Sequence, residues 1–185
     1  MQQVEKKTVV AVLGSVCLGT ALWLAAPVLA DDDDYEHRRG SSHVAGLNPL
    51  YVAECGACHV AYPPGALPGR SWIQLMNGLD NHFGDDASLE PNEVAQLIDY
   101  LGANAAEHVR GDMRKLSKRV KQDEIPLKIT ELGYFKKEHR NVPKRAYKIN
   151  PDLKLSNCEA CHTKAEQGGY REHDINIPGI GPWED

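Results

Sequence analysis

The strongest constraint on this chain is a five-residue pattern that it carries twice, "CGACH" at 55–59 and "CEACH" at 158–162. Two cysteines set three apart have four common uses. A disulfide within each pair is geometrically possible, but it leaves both following histidines unexplained. A thioredoxin-type redox pair needs a βαβ context, and no such alternation flanks either motif. A zinc site could combine the two pairs, but they start 103 residues apart and the histidines would be surplus. Covalent haem attachment uses every residue of the pattern: the two thiols reach the two vinyl groups, and the next residue places its imidazole beneath the iron. The sequence therefore predicts two covalently bound haem c groups. Cys55 and Cys58 would hold the first with His59 as proximal ligand, and Cys158 and Cys161 the second with His162. A zinc-binding structural protein is the non-haem alternative.

The start of the chain agrees with haem attachment, which takes place on the outer face of the bacterial membrane. Lys6 and Lys7 form a short basic region, an apolar stretch runs from Thr8 to about Ala26, and Val28-Leu29-Ala30 precedes four aspartates. This reads as a Sec-type secretory signal cleaved after Ala30. An uncleaved anchor is the alternative, because the apolar run approaches membrane-spanning length. In both cases the rest of the chain is expected in the periplasm. Cys17 lies inside the signal, so the four remaining cysteines all belong to the two motifs.

Beyond Ala30 the chain carries 19 basic and 25 acidic side chains, unevenly spread. Residues 31–109 have a net charge of −10, residues 110–148 of +8 and residues 149–185 of −4. A solvated linker accounts for part of the basic stretch "RKLSKRVK" at 114–121. A bipolar molecule could also steer different partners to its two ends. Nucleic acid is not an expected partner of an exported, net-acidic chain, and no small-molecule substrate is indicated. Aromatic residues make up only 6% of the sequence, thin material for a core that no disulfide staples.

Local patterns place helices around the motifs. A short helix is expected from about Pro49 into the first motif, followed by a proline-rich loop, "AYPPGALPGR" at 61–70. In "SWIQLMNGLDNHFG", Ser71 reads as an N-cap and Gly84 as the stop, with Trp72, Leu75, Met76, Leu79, His82 and Phe83 on one face. "PNEVAQLIDYLGANAAEHV" reads as an amphipathic helix starting at Pro91, with Val94, Leu97, Ile98 and Leu101 inward. Residues 110–128 are expected to be loop with some helix. "TELGYFKKEHR" at 130–140 reads as a short helix capped by Thr130, stacking Leu132, Phe135 and His139. No strand is expected, and the tail after the second motif reads as loop.

Each iron then needs a sixth ligand. An open face permits oxygen or peroxide chemistry, whereas a second strong ligand restricts the haem to electron transfer. A lone histidine is more often surface or core than ligand. His82 and His139 depart from that expectation because each lies on an apolar face near a motif, 23 residues after His59 and 19 before Cys158 respectively. They are the expected distal ligands, with crossed pairing left open and Met76 as a weaker alternative. His37 and His43 fall in the lead-in, His108 after a helix end and His173 in a polar tail. Histidine on both faces predicts lower potentials than His/Met ligation.

The stretch from "YVAECGACHVAYPPGALPGRSWIQLMNGLDNHFGDDASLE", through "KITELGYFKKEHR", to "NCEACHTKAEQGGY" resembles the dihaem cytochrome c family of bacterial periplasmic electron carriers. The likeness covers most of residues 48–170 and includes the loops between the motifs. It implies a mainly α fold: a class I cytochrome c-like N-terminal module plus a loop-rich C-terminal haem module. The organisation expected is signal peptide 1–30, flexible lead-in 31–47, first haem module 48–109, basic linker 110–129 and second haem module 130–185. In the resemblance, His82 and His139 occupy distal-ligand positions. It implies electron transfer between a membrane cytochrome, b-type by analogy, and a small soluble oxygen-binding cytochrome c. Membrane contact is then expected only through a partner or an uncleaved signal anchor. The rival is a dihaem peroxidase-like enzyme with one open haem face, although such enzymes are considerably longer. A haem-based sensor would need an output module, which the pattern does not supply.

Overall fold

Helix α1, Pro49–Cys55, begins where Asn48 turns its side chain onto the free backbone N–H groups of Leu50 and Tyr51, at 2.8 and 3.3 Å. Pro49 at the first helical position loses nothing there, since its missing N–H would have had no helical partner. The helix closes at Gly56, whose N–H donates to the Val52 carbonyl at 2.9 Å. Cys55 is thus the last helical residue and the first of the motif. The computed structural model describes residues 47–183. The expected signal peptide, His37 and His43 lie outside the described residues.

The chain then passes through a single 3-10 turn, Pro64–Ala66, into α2, Gly69–Met76, and later into α3, Pro91–Ala103. Trp72 of α2 is buried and its indole Nε1–H donates to the Pro64 carbonyl at 2.7 Å, which pins the proline stretch. Gly65 is required at the centre of that turn, because a Cβ would stand 2.6 and 2.9 Å from the two methyl carbons of Val109. α3 opens with Pro91 after Glu90, whose N–H is held by the Glu93 carboxylate at 3.2 Å. It buries Leu97 and Leu101 against α2 and α1. Full burial of each such leucine is worth about 1.5–3 kcal/mol.

Three short α-helices and a 3-10 turn follow: α4 Asp112–Ser117, the turn Ile129–Glu131, α5 Gly133–His139 and α6 Lys144–Ile149. Leu132 and Phe135 join Tyr51, Leu67, Trp72 and Leu97 in one apolar core. The described residues all belong to one compact unit. The stretch read as a basic linker contributes α4, which packs against the Pro64–Ala66 turn and α5. Its Ser117 hydroxyl donates to the Ala66 carbonyl at 2.6 Å. Further along, the Arg70 guanidinium donates to the Lys121 and Glu124 carbonyls, both at 2.7 Å. No helix among the described residues is long and apolar enough to cross a membrane.

Several local expectations need correction. Ser71 does not cap α2: Pro68, with its fixed φ, takes that place and the helix starts three residues earlier, at Gly69. The Ser71 hydroxyl is buried inside α2 without a partner. The helix stops at Met76 instead of running to Gly84, so His82 and Phe83 do not share its face. Leu79–Asn81 forms a 3-10 turn, and His82 and Asp85 exchange backbone hydrogen bonds at 2.7 and 3.3 Å. Phe83 and Gly84 between them have φ of 58° and 110°, the signature of a tight primed turn. Phe83 points outward, 53% exposed. Thr130 lies in the Ile129–Glu131 turn, and α5 follows an extended Leu132 with no side-chain cap. The tail contains a small antiparallel pair, β1 Asn176–Ile177 with β2 Gly181–Pro182, too short to leave an alternating pattern in the sequence.

Candidate haem sites

At the first motif, His59 follows Gly56-Ala57-Cys58 beyond the end of α1. Its Nδ1 lies 2.8 Å from the Val60 carbonyl. Only a donor can face a carbonyl, so the proton sits on Nδ1 and the Nε2 lone pair is left free. The ring stacks on Tyr62, centroids 4.6 Å apart and planes at 17°. His82, held by its exchange with Asp85, faces it with ring centroids 6.4 Å apart and planes at 25°. Burial, and secondarily the neighbouring His59, push the His82 pKa down; Asp85 opposes this more weakly. A neutral imidazole with a free lone pair is the form in which histidine binds metal.

The second motif is built differently. Cys158–Ala160 is a 3-10 turn, and the His162 N–H donates to the Cys158 carbonyl at 2.8 Å. The segment is fastened to the tail: Asn176 N–H donates to the Cys161 carbonyl at 2.8 Å and Thr163 N–H to the Asp174 carbonyl at 3.2 Å. Opposite stands His139 at the end of α5, its Nδ1 2.9 Å from the Phe135 carbonyl, which again frees Nε2. Phe135 stacks on the His139 ring at 3.8 Å and 13°. The His139 and His162 ring centroids are 6.1 Å apart, with planes at 62°. Burial, reinforced by His139, pushes His162 down to about 4.

Two imidazoles bound to opposite faces of one iron, each with a bond of about 2 Å, place their ring centres roughly 6 Å apart. Both observed pairs have that separation. The second pair lines a cavity of about 780 Å³, together with Cys158, Cys161, Phe135 and, from α4, Met113 and Leu116. That size and its largely apolar wall suit a flat cofactor. The four cysteines are free. Burial, then Glu54, pushes the Cys55 thiol up to about 11; burial, then Glu159, does the same for Cys158. Thiols held protonated are poor redox nucleophiles. Among the described residues, no three or more His, Cys, Asp or Glu side chains group closely enough to hold a bare metal ion. The donor set thus fits a macrocycle tethered by thioethers, with a histidine on each side.

A family model for dihaem cytochrome c matches residues 51–170. The chain belongs to the dihaem cytochrome c family. It therefore carries two covalently bound c-type haems and works in electron transfer. Solved structures agree. A dihaem cytochrome c from Shewanella baltica is 39% identical, with 74% of this chain and 98% of that one covered and a TM-score of 0.61. One from Rhodobacter sphaeroides is 45% identical, with 67% and 97% covered and a TM-score of 0.60. A second structure from Rhodobacter sphaeroides is 42% identical, with 68% and 98% covered and a TM-score of 0.54. No curated protein matches the chain.

Within this dihaem cytochrome the fold brings together all the singled-out histidines at 59, 82, 139 and 162, in two pairs rather than a crossed arrangement. Met76 is instead part of the apolar core. His108 and His173 are exposed, and His173 lies 3.5 Å from Asp174. Sequence reasoning passed over Tyr62 and Tyr170, which pack against His59 and His162. Their positions, three residues beyond the first motif and eight beyond the second, were the available signal.

Proposed function

We propose that this chain is an exported, periplasmic electron carrier in which both irons have two histidine ligands: His59 with His82, and His162 with His139. The observation that carries this reading is the opposition of two imidazoles at each motif, at 6.4 and 6.1 Å. Each haem, when bound, supplies a one-electron iron couple. The chain's residues do the rest. The carbonyls of Val60 and Phe135 orient His59 and His139 through Nδ1, and burial favours the neutral form of His82 and His162. With both faces closed, small ligands are excluded and the irons are confined to electron transfer.

The donor is a membrane cytochrome, b-type by family analogy, and the acceptor a soluble protein such as an oxygen-binding cytochrome c. The charge pattern supports separate docking regions: −10 over residues 31–109 against +8 over 110–148. The signal over residues 1–30 supports the location, and the mature protein should begin at Asp31.

Carbon monoxide added to the reduced holoprotein tests the ligation. Bis-histidine irons leave the spectrum unchanged. Ready binding at either haem would refute closed faces and favour a peroxidase-like enzyme with one open face.

A further inference from the structure

The Tyr62 side chain contacts the histidine of the first motif and reaches the backbone two residues before the second. Its ring lies flat against His59 at 4.6 Å and 17°. Its hydroxyl, 94 residues away along the chain, donates to the Ser156 carbonyl at 2.7 Å. The same carbonyl lies 3.8 Å from the Cys158 sulfur. Tyr62 also lines the cavity at the second motif, beside Cys158 and His162. Its own backbone is fixed in turn: the buried Tyr51 hydroxyl, from the helix that leads into the first motif, donates to the Tyr62 carbonyl at 2.6 Å.

We propose that Tyr62 is a positioning residue that couples the two haem sites, its ring orienting the His59 imidazole and its hydroxyl holding the Ser156–Cys158 segment at a fixed distance from it. The two roles sit on separable parts of one side chain. Stacking restricts rotation of the proximal imidazole about its bond to iron, which adds to the hold of the Val60 carbonyl on Nδ1. The hydroxyl bond ties the first motif to the second through a single rigid side chain. Once Cys158 is a thioether it has no hydrogen left to donate, whereas the Tyr62 hydroxyl still donates to Ser156. The path from His59 through the phenol to Ser156 and Cys158 is then a short bridge between the two cofactors. The inference rests on haem being held at both motifs as proposed above.

The test compares holoprotein carrying Y62F, which removes only the hydroxyl, with Y62L, which removes the ring as well. Haem content, electron paramagnetic resonance of the oxidised protein and Soret-region circular dichroism are measured for each. Y62F should keep the wild-type resonance of the first haem, because the stack survives, and should lose the haem–haem contribution to the circular dichroism. Y62L should change both. A merely structural role would lower stability in both variants without separating the two signals. If Y62L does not assemble, Y62F alone decides. With two haems per chain, unchanged circular dichroism in Y62F overturns the tether, and an unchanged first-haem resonance in Y62L overturns the stack. Wild-type protein with fewer than two haems would instead overturn the ligation, and the bridge with it.

Discussion

The imidazole planes of His139 and His162 cross at 62°, whereas those of His59 and His82 lie within 25° of parallel. The difference comes from local structure. His139 is locked to the end of α5 by its bond to the Phe135 carbonyl and by the Phe135 ring. His82 sits on a turn and His59 against Tyr62. Near-parallel ligand planes split the iron π orbitals strongly, while crossed planes leave them closer in energy. The oxidised protein should therefore give two distinct low-spin signals, the more anisotropic one from the second haem. His82→Met should remove the first signal alone and His139→Met the second alone. Each thioether should raise only its own haem's potential, by a fraction of the roughly 0.8 V that axial ligands command. Signals that neither substitution alters would refute the assignments.

Gly65 and Val109 form a contact that can be tested by compensation. An added methyl at Gly65 would press into both Val109 methyl groups, at 2.6 and 2.9 Å. The turn cannot easily retreat, since Trp72 holds Pro64 and Ser117 holds Ala66. Gly65→Ala should cost about 1–3 kcal/mol, as overpacking does. Adding Val109→Ala to it should recover part of that loss, because both clashing methyl groups go and only the Val109 Cβ, at 3.2 Å, stays close. Thermal melts of the two single variants and the double variant measure the coupling directly.

The two haem-attachment motifs were legible in the sequence because they rest on chemistry that spacing alone encodes. Cys-x-x-Cys-His has one economical use, and His82 and His139 stood out among apolar neighbours. The amphipathic period of α3 was equally clear, since Leu97 and Leu101 are both fully buried. Boundaries set by competition between neighbours were not. Ser71 looks like a cap until Pro68 is seen to occupy that place. His82 seemed helical because Leu79 and Phe83 extend the apolar spacing, yet Asn77-Gly78 end the helix and a turn delivers the ring instead. Tyr62 was hidden because its partner, Ser156, is fixed only by the tertiary fold. The same holds for α4, whose charged sequence gives no sign that Met113 and Leu116 line a cavity.

Phe83 holds a left-handed φ of 58° next to His82, and its ring meets that imidazole edge-on at 4.8 Å. A left-handed conformation costs a non-glycine residue about 1–2 kcal/mol. Two contacts compensate: the edge-on pair with His82, worth about 0.5–1.5 kcal/mol, and the Lys128 ammonium 5.2 Å above the ring, worth about 0.5–1 kcal/mol at an exposed site. Relief of strain and the two lost contacts should therefore nearly cancel. Phe83→Asn, which tolerates that backbone region, should change stability by no more than about 1 kcal/mol. A larger loss would mean that the ring contributes more than these contacts.

Asp174 makes the second motif sensitive to acid in a way that one substitution can isolate. Its backbone carbonyl receives both the Thr163 N–H, at 3.2 Å, and the Thr163 hydroxyl, at 2.9 Å. Its carboxylate pairs with Lys164 at 2.6 Å, and that bond holds it below the ordinary carboxylate value of 3.8, with help from the charges of His173 and Arg171. A carboxyl lowered in the folded state adds stability that is complete above its unfolded value and disappears as pH falls through the lowered one. The contribution is modest because Lys164 is half exposed. Other groups also titrate in this range, so the informative quantity is the difference between wild type and Asp174→Asn. Near neutral pH the variant should melt slightly below wild type. The gap should close as pH falls below the ordinary carboxylate value of 3.8 and through the lowered one, where wild type loses the same ion pair. A gap that stays constant down to the acid limit would show that the pair does not fasten the motif.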